Sequence, residues 1–347
     1  MNNSATASPT LRVSLACTLA ILISGCNTVV LNPSGDIALQ QGHLLIISTL
    51  LMLLIIVPVI ALICFFAWKY RQSNSAARYE PDWDHSTSLE LVIWGAPLLI
   101  IIVLGLLTWI GTHILDPYRK LDRIDATRPV AAHTKSLRVE VVALDWKWLF
   151  IYPDLNIATV NELAAPIDVP IEFSITASTV MNSFFIPALA GQIYAMPGMQ
   201  TSLNAVINKP GIYDGFSANY SGAGFSNMKF KFHGLSQADF DHWVQSTRSD
   251  QALDSQTYLQ LEKPSERVPV MHFGSVDASL YHAILNRCVA GTAVCADQLM
   301  MADAQSNQRF YARSSPANNA GQFAEIDSEI CTRTPSSLKV KQNVRAN

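Results

Sequence analysis

Charge is scarce in this chain. Only 15% of its 347 residues are Asp, Glu, Lys or Arg, and the formal net charge is −3. Without a basic surplus, the electrostatic footprint needed to follow a nucleic-acid backbone is missing, so no nucleic-acid partner is expected. Cysteine is sparse too, at six positions. No histidine-rich neighbourhood accompanies Cys288, Cys295 or Cys331, so the donor set of a metal site is not there. No nucleophile–base pair is recognisable by spacing either. Apolar residues, by contrast, make up 50% of the chain. Most of them sit in three early segments, the distribution of a membrane protein with a water-facing remainder.

The first apolar segment, Leu11 to Ile23, is too short to span about 30 Å of hydrocarbon. Arg12 lies near its start and Ile23-Ser24-Gly25-Cys26 ends it, an aliphatic residue and two small ones before cysteine. This is a secretory signal with a bacterial lipobox: residues 1–25 are expected to be removed and Cys26 to be acylated. An uncleaved first helix with an incidental Cys26 is the alternative. The second and third segments predict membrane-spanning helices over about 44–68 and 89–115, with 26–116 forming an N-terminal segment and hairpin. Some 25 uncharged residues at 1.5 Å each reach roughly 37 Å, enough to cross. Pro58 and Pro97 are expected to kink them. With Cys26 outside, the loop carrying Lys69, Arg71 and Arg78 is cytoplasmic. Everything after about Asp116 is then periplasmic, although Arg119, Lys120, Arg123 and Arg128 run against the charge rule. The chain is thus expected to be a multi-pass lipoprotein of a bacterial inner membrane, surrounded by membrane lipids.

From Leu137 the apolar period drops to two. Leu137, Val139 and Val141 share one face, and Ile171, Phe173 and Ile175 another. Leu203, Ala205 and Ile207 lead into the turn Asn208-Lys209-Pro210-Gly211, and Met228, Phe230 and Phe232 alternate with lysines. Short half-buried strands with turn signals between them indicate an all-β sandwich or barrel over 130–235. A helical appendage is expected over 236–290. Ser236 and Asp239 cap its first helix, which turns Phe240, Trp243 and Val244 inward. A second runs from about Asp254 to Leu261, and a third follows Asp277. Residues 291–347 show no periodicity and are expected to form a disordered tail. The spacing of Cys288 and Cys295 would allow a small disulfide loop, with free thiols as the alternative.

The most telling stretch is Ser217-Ala218-Asn219-Tyr220-Ser221-Gly222-Ala223-Gly224-Phe225-Ser226-Asn227-Met228. It resembles the binuclear copper loop of haem–copper oxidase subunit II, Cys-x-Glu-x-Cys-Gly-x-x-His-x-x-Met, with its donors replaced. Ser217 and Ser221 stand for the thiolates, Phe225 for the imidazole and Asn219 for the glutamate whose carbonyl helps. Met228 is retained. The family's second histidine belongs to His-Ser-Phe-x-x-Pro, which reads Asn182-Ser183-Phe184-Phe185-Ile186-Pro187 here. Copper needs soft thiolate and imidazole donors, so no metal is expected at this site. The frame without its copper resembles subunit II of a cytochrome bo-type ubiquinol oxidase, over residues 26 to 290.

That resemblance implies a membrane-anchored α+β chain, a two-helix hairpin followed by a cupredoxin-like Greek-key sandwich with short C-terminal helices. It implies a non-catalytic subunit of a proton-translocating complex. Subunits I, III and IV would be its partners, haem and copper would reside in subunit I, and ubiquinol would be the complex's substrate. Leu89-Glu90-Leu91-Val92-Ile93-Trp94 is similar to the family motif whose glutamate lies at the cytoplasmic mouth of a proton channel, which makes Glu90 the proton-uptake candidate. A helix-terminal carboxylate favoured by the macrodipole is the plainer reading. Asp145-Trp146-Lys147-Trp148 matches the aromatic patch by the copper port, and Trp146 and Trp148 are expected to serve packing. Met181, Met196, Met199, Met228 and Met271 read as core filler. Two rival functions stay open: a cytochrome c oxidase subunit II with an atypical copper site, and a membrane-tethered periplasmic copper-binding protein.

Overall fold

In a computed structural model, the protein is described over residues 28–78, 82–131, 134–291 and 294–314. Cys26, Cys331 and the expected signal peptide lie outside the described residues.

Among the described residues, two helices are long and apolar enough to cross a membrane, α1 (Asp36–Lys69) and α2 (Thr87–Ile114). Their apolar side chains point outward along almost the whole length. Threonines inside them return their hydroxyls to the backbone: Thr49 donates to the Leu45 carbonyl at 2.8 Å and Thr112 to that of Trp109 at 2.9 Å. A hydroxyl satisfied within its own helix needs no water. Gly111 of α2 faces Leu44 of α1, where an added Cβ would come within 3.2 Å of the leucine side chain. Small residues at such a crossing let helices approach. α1 begins eight residues before the expected start, because Gln40, Gln41 and His43 extend it as a polar turn beyond the apolar run.

The described residues after the hairpin form thirteen strands: β1 (Leu137–Leu144), β2 (Lys147–Tyr152), β3 (Ile157–Val160), β4 (Glu162–Pro166), β5 (Ile171–Ala177), β6 (Asn182–Phe185), β7 (Ile193–Ala195), β8 (Thr201–Ala205), β9 (Gly211–Ser217), β10 (Lys229–Leu235), β11 (Ala252–Leu253), β12 (Met271–Phe273) and β13 (Ser275–Val276). A six-stranded sheet runs β12-β3-β2-β1-β5-β8 and a five-stranded one β4-β10-β9-β6-β7; β11 and β13 pair separately. β1 runs parallel to β5, and β4 to β10, among otherwise antiparallel neighbours of these two sheets. Val139, Val141, Trp148, Phe150, Phe173, Phe184, Phe230 and Phe232 fill the space between the sheets.

The six-stranded sheet is buried on both faces over β3, β2 and the second half of β1. Val142, Leu144, Leu149 and Ile151 point away from the sandwich into a second core with Leu253, Tyr258, Phe273, Leu280, Tyr281 and Ile284. This explains why Lys147–Tyr152 shows no alternation: all six of its residues are buried, as strands covered on both faces are. α3 (Gln237–Thr247) packs Phe240 and Val244 against the first core, and the covering segment holds α4 (Ser255–Leu261) and α5 (Leu280–Leu285). Ser236 and Asp254 accept from the backbone amides three residues on, capping α3 and α4. A Cys288–Cys295 disulfide closes the segment. Glu162 on β4 fastens one edge, accepting from His272 on β12 at 2.7 Å and from Trp243 on α3 at 3.3 Å and facing His233 on β10 at 3.3 Å.

The stretch expected to be disordered from 291 contains a helix, α6 (Ala296–Ser314). Its run of Ala, Gln, Leu and Met are strong helix formers, although they make no clear apolar stripe.

Hairpin and sandwich meet at an elbow. Ser34 and Gly35 donate their amides to the Ala188 carbonyl at 3.0 and 2.8 Å, and Asn208 donates back to Ser34 at 2.9 Å. A Cβ at Gly35 would lie 2.6 Å from the Leu189 oxygen and 2.7 Å from that of Val206, so glycine is required. Arg123 then grips Asp36 with two bonds, 2.9 and 3.1 Å, and the aspartate side chain is only 2% exposed. Gln40 donates to the same carboxylate at 2.7 Å. The arginines that break the charge rule are therefore held by aspartates: Arg119 by Asp122, Arg123 by Asp36, and Arg128 by Asp125 and Asp168.

Arg123→Ala should leave a buried carboxylate without its cation and lower stability by about 3 kcal/mol. Asp36→Asn/Arg123→Ala should recover part of that loss, measured by thermal unfolding of the detergent-solubilised chain. A second test concerns Glu140, which shares the face of Val142. Burial raises its carboxyl to about 7, with Arg138 opposing and Asp154 adding. Because the folded pKa lies above the unfolded one, this group's contribution to stability falls as pH rises from about 4.5 to 7 and stays low above that. Glu140→Gln should match the wild type near pH 5 and exceed it by about 1–2 kcal/mol near pH 8, after allowance for solvent screening.

Candidate functional site

The degenerate loop takes its shape from the five-stranded sheet. β6 starts at Asn182 and β9 ends at Ser217, and their antiparallel register sets Phe184 opposite Ser217. Two residues that lie 35 apart in sequence thus become neighbours. The Ser217 hydroxyl donates to Asn182 Oδ1 at 3.1 Å, and Ser217 Oγ in turn lies 3.4 Å from the Ser183 amide. The Asn182 amide donates to the Val180 carbonyl at 3.2 Å, and Asn219 Nδ2 to the Met181 carbonyl at 3.3 Å. Asn182 and Ser217 are buried. The chain then crosses Ser221 and a single 3-10 turn at Phe225–Asn227 before Met228 enters β10.

These side chains do not fit a pair of copper ions. Asn182 and Ser217 bond to each other where an imidazole and a bridging thiolate would be needed. Phe225 offers a ring, packed edge-on against Tyr220 with centroids 5.7 Å apart. Met228 is fully buried in the core between the sheets. A serine hydroxyl stays protonated at neutral pH and is too hard to replace a bridging thiolate. Among the described residues, no group of three His, Cys, Asp or Glu side chains is arranged to hold a metal.

An indole holds the loop instead. Trp146 lies across Gly222 and Gly224, where added Cβ atoms would come within 2.9 and 2.5 Å of its ring. Gly222 also has φ +132°, which favours glycine. The indole nitrogen of Trp146 and the Ser221 hydroxyl are buried without a hydrogen-bond partner among the described residues. Next in sequence, buried Lys147 donates to the carbonyls of Asp145 at 3.1 Å and Lys263 at 2.9 Å and to the Ser265 hydroxyl at 2.6 Å. Desolvation lowers its pKa. Trp148 is wholly inside the core.

Far from this loop, Glu90 lies in the first turn of α2 and contacts His85 Nδ1 at 2.8 Å, both side chains about half exposed. The histidine five residues earlier is a partner that helical spacing does not suggest. The methionines divide. Met228 fills the core and Met271 packs on the second one, but Met181 and Met199 are exposed on loops, so the filler reading fails for those two.

Residues 153–234 match the family described as cytochrome C oxidase subunit II, periplasmic domain, and residues 248–292 match the COX aromatic rich motif. A cytochrome bo(3) ubiquinol oxidase subunit 2 of Pseudomonas putida is 50% identical over 268 residues, 77% of this chain and 82% of that one. The chain belongs to the subunit II family of the cytochrome bo-type ubiquinol oxidases. A ubiquinol oxidase subunit 2 of Acetobacter aceti is 49% identical across 77% of this chain and 84% of its own. A quinol oxidase subunit 2 of Bacillus cereus is 35% identical across 72% and 84%. The aromatic-rich match covers the residues that roof the six-stranded sheet, with Tyr258, Phe273 and Tyr281 as its buried rings.

Proposed function

We propose that this chain is the non-catalytic subunit II of a proton-translocating ubiquinol oxidase in an aerobic respiratory chain. It carries no binuclear copper centre and supports a haem–copper catalytic subunit. The observation that carries this reading is the Ser217–Asn182 hydrogen bond, formed where a copper port would need sulfur and imidazole, in a family whose relatives are named for quinol. Ubiquinol then delivers electrons to subunit I directly, and haem and copper reside there. The hairpin spans the inner membrane with the sandwich in the periplasm and packs within an assembly that includes subunits III and IV. Acylation of Cys26 adds a lipid anchor. Glu90, with His85 beside it, stands at the cytoplasmic start of α2 and helps load protons into subunit I.

A complex purified through a tag on this chain should contain haem and oxidise ubiquinol. All of its copper should be accounted for by the catalytic subunit, and the near-infrared band of a mixed-valence copper pair should be missing. Copper bound to this chain in stoichiometric amount would end the reading. A chain that comes away without haem under mild solubilisation would do the same. In that complex Glu90→Ala should slow turnover roughly tenfold, about 1.4 kcal/mol on the barrier, with assembly unchanged. Undiminished turnover would return Glu90 to a helix-terminal role.

A further inference from the structure

The elbow encloses a cavity of about 300 Å³, lined by the polar start of α1, the end of α2, the segment from Asp116 to Arg123 and parts of the β6–β7 loop and β8. Its walls are of two kinds. Ile114, Leu115 and Leu121 make one side apolar, and charged groups line the other. Pairing removes most of that charge: Asp36 with Arg123, Asp122 with Arg119. Two groups are left over. Lys120 is exposed and has no carboxylate partner among the described residues. Asp116 accepts only a backbone amide, from Tyr118 at 2.9 Å. It stands just past the C-terminus of α2, where the carbonyl end of a helix also attracts cations.

We propose that this cavity binds the headgroup of a zwitterionic aminophospholipid, phosphatidylethanolamine in chemical class. Lys120 would meet the phosphodiester, Asp116 and the end of α2 would meet the primary ammonium, and the acyl chains would leave along the apolar surface of α2. The inference rests on the reading of α1 and α2 as spanning helices. That reading puts the cavity mouth where hydrocarbon gives way to headgroups; on α2, His113 lies about one turn and Trp109 about two turns before Asp116. One free cation and one free anion in the same cavity match a zwitterion better than an anionic lipid, which would have to approach Asp116. A primary ammonium can donate hydrogen bonds to a carboxylate, and a choline headgroup cannot.

The test uses the purified oxidase in nanodiscs that contain spin-labelled phosphatidylethanolamine, phosphatidylglycerol or phosphatidylcholine in turn, followed by counting of the phospholipid retained in detergent. Wild type should immobilise phosphatidylethanolamine selectively. Lys120→Gln should weaken that retention roughly fivefold, the worth of one lysine at a lipid surface, and Asp116→Asn should abolish the preference over phosphatidylglycerol. Lys120→Arg, which keeps the charge, should behave as wild type, so a folding defect in the first variant would not hide the result. Equal retention in wild type, Lys120→Gln and Asp116→Asn would overturn the proposal. Soluble phosphoethanolamine that displaces the lipid at equal concentration would mark a site for a free headgroup and overturn it as well. So would loss of other subunits with lipid retention unchanged, the mark of a protein contact. Extraction of the chain by carbonate would instead defeat the reading of a spanning hairpin, independently of the lipid count.

Discussion

The geometry of this protein depends on one closed ion pair. Asp36 stands at the first turn of α1 and Arg123 lies 87 residues away, after both long helices have passed. Their two bonds fix the strand-like segment at Gly35 and the linker after α2 against the same edge of the sandwich. A charge pair out of water is weak evidence of stability, because desolvation offsets most of the attraction. It is strong evidence of geometry, since a buried carboxylate tolerates little displacement of its cation. The three bonds to Asp36, two from Arg123 and one from Gln40, turn a flexible joint into a fixed angle. The excess of arginine on the sandwich side is part of the same arrangement. These residues are structural cations held by aspartates.

Much of this architecture is legible in the sequence wherever one face of an element meets water. β10 alternates cleanly and the first halves of β1 and β5 do so too, and the caps at Ser236 and Asp254 lie at the positions their side chains dictate. What escapes is what both faces bury. β2 has no alternation to read, and the second core is assembled from residues spread between Val142 and Ile284. α6 escapes for the opposite reason, as good helix formers without an apolar stripe leave no periodic signal. At the degenerate loop, the replaced donors can be read from motif positions. The bond between Ser217 and Asn182 cannot, since only the register of β6 on β9 creates it. Nor can the cluster on Glu162, whose partners come from β10, α3 and β12.

Magnitudes indicate what keeps the loop from Ser217 to Met228 in shape. A metal centre can supply folding free energy on the order of 10 kcal/mol. The exchange of donors for Ser217, Asn182 and Asn219 leaves neutral hydrogen bonds worth about 1 kcal/mol each, net. These cannot hold a twelve-residue turn by themselves. Burial has to make up the difference, and the structure locates it: Met228 is sealed in the core, and the Trp146 indole covers Gly222 and Gly224 at distances no Cβ would allow. Trp146 is fixed in turn through its neighbour Lys147, whose ammonium binds the chain at Lys263 and Ser265. The turn from Ser217 to Met228 is thus tied to the aromatic segment roofing the opposite face of the sheet. Loosening that roof should disturb the loop before it disturbs the hairpin, because the two are joined through Lys147 and the elbow is not part of that path.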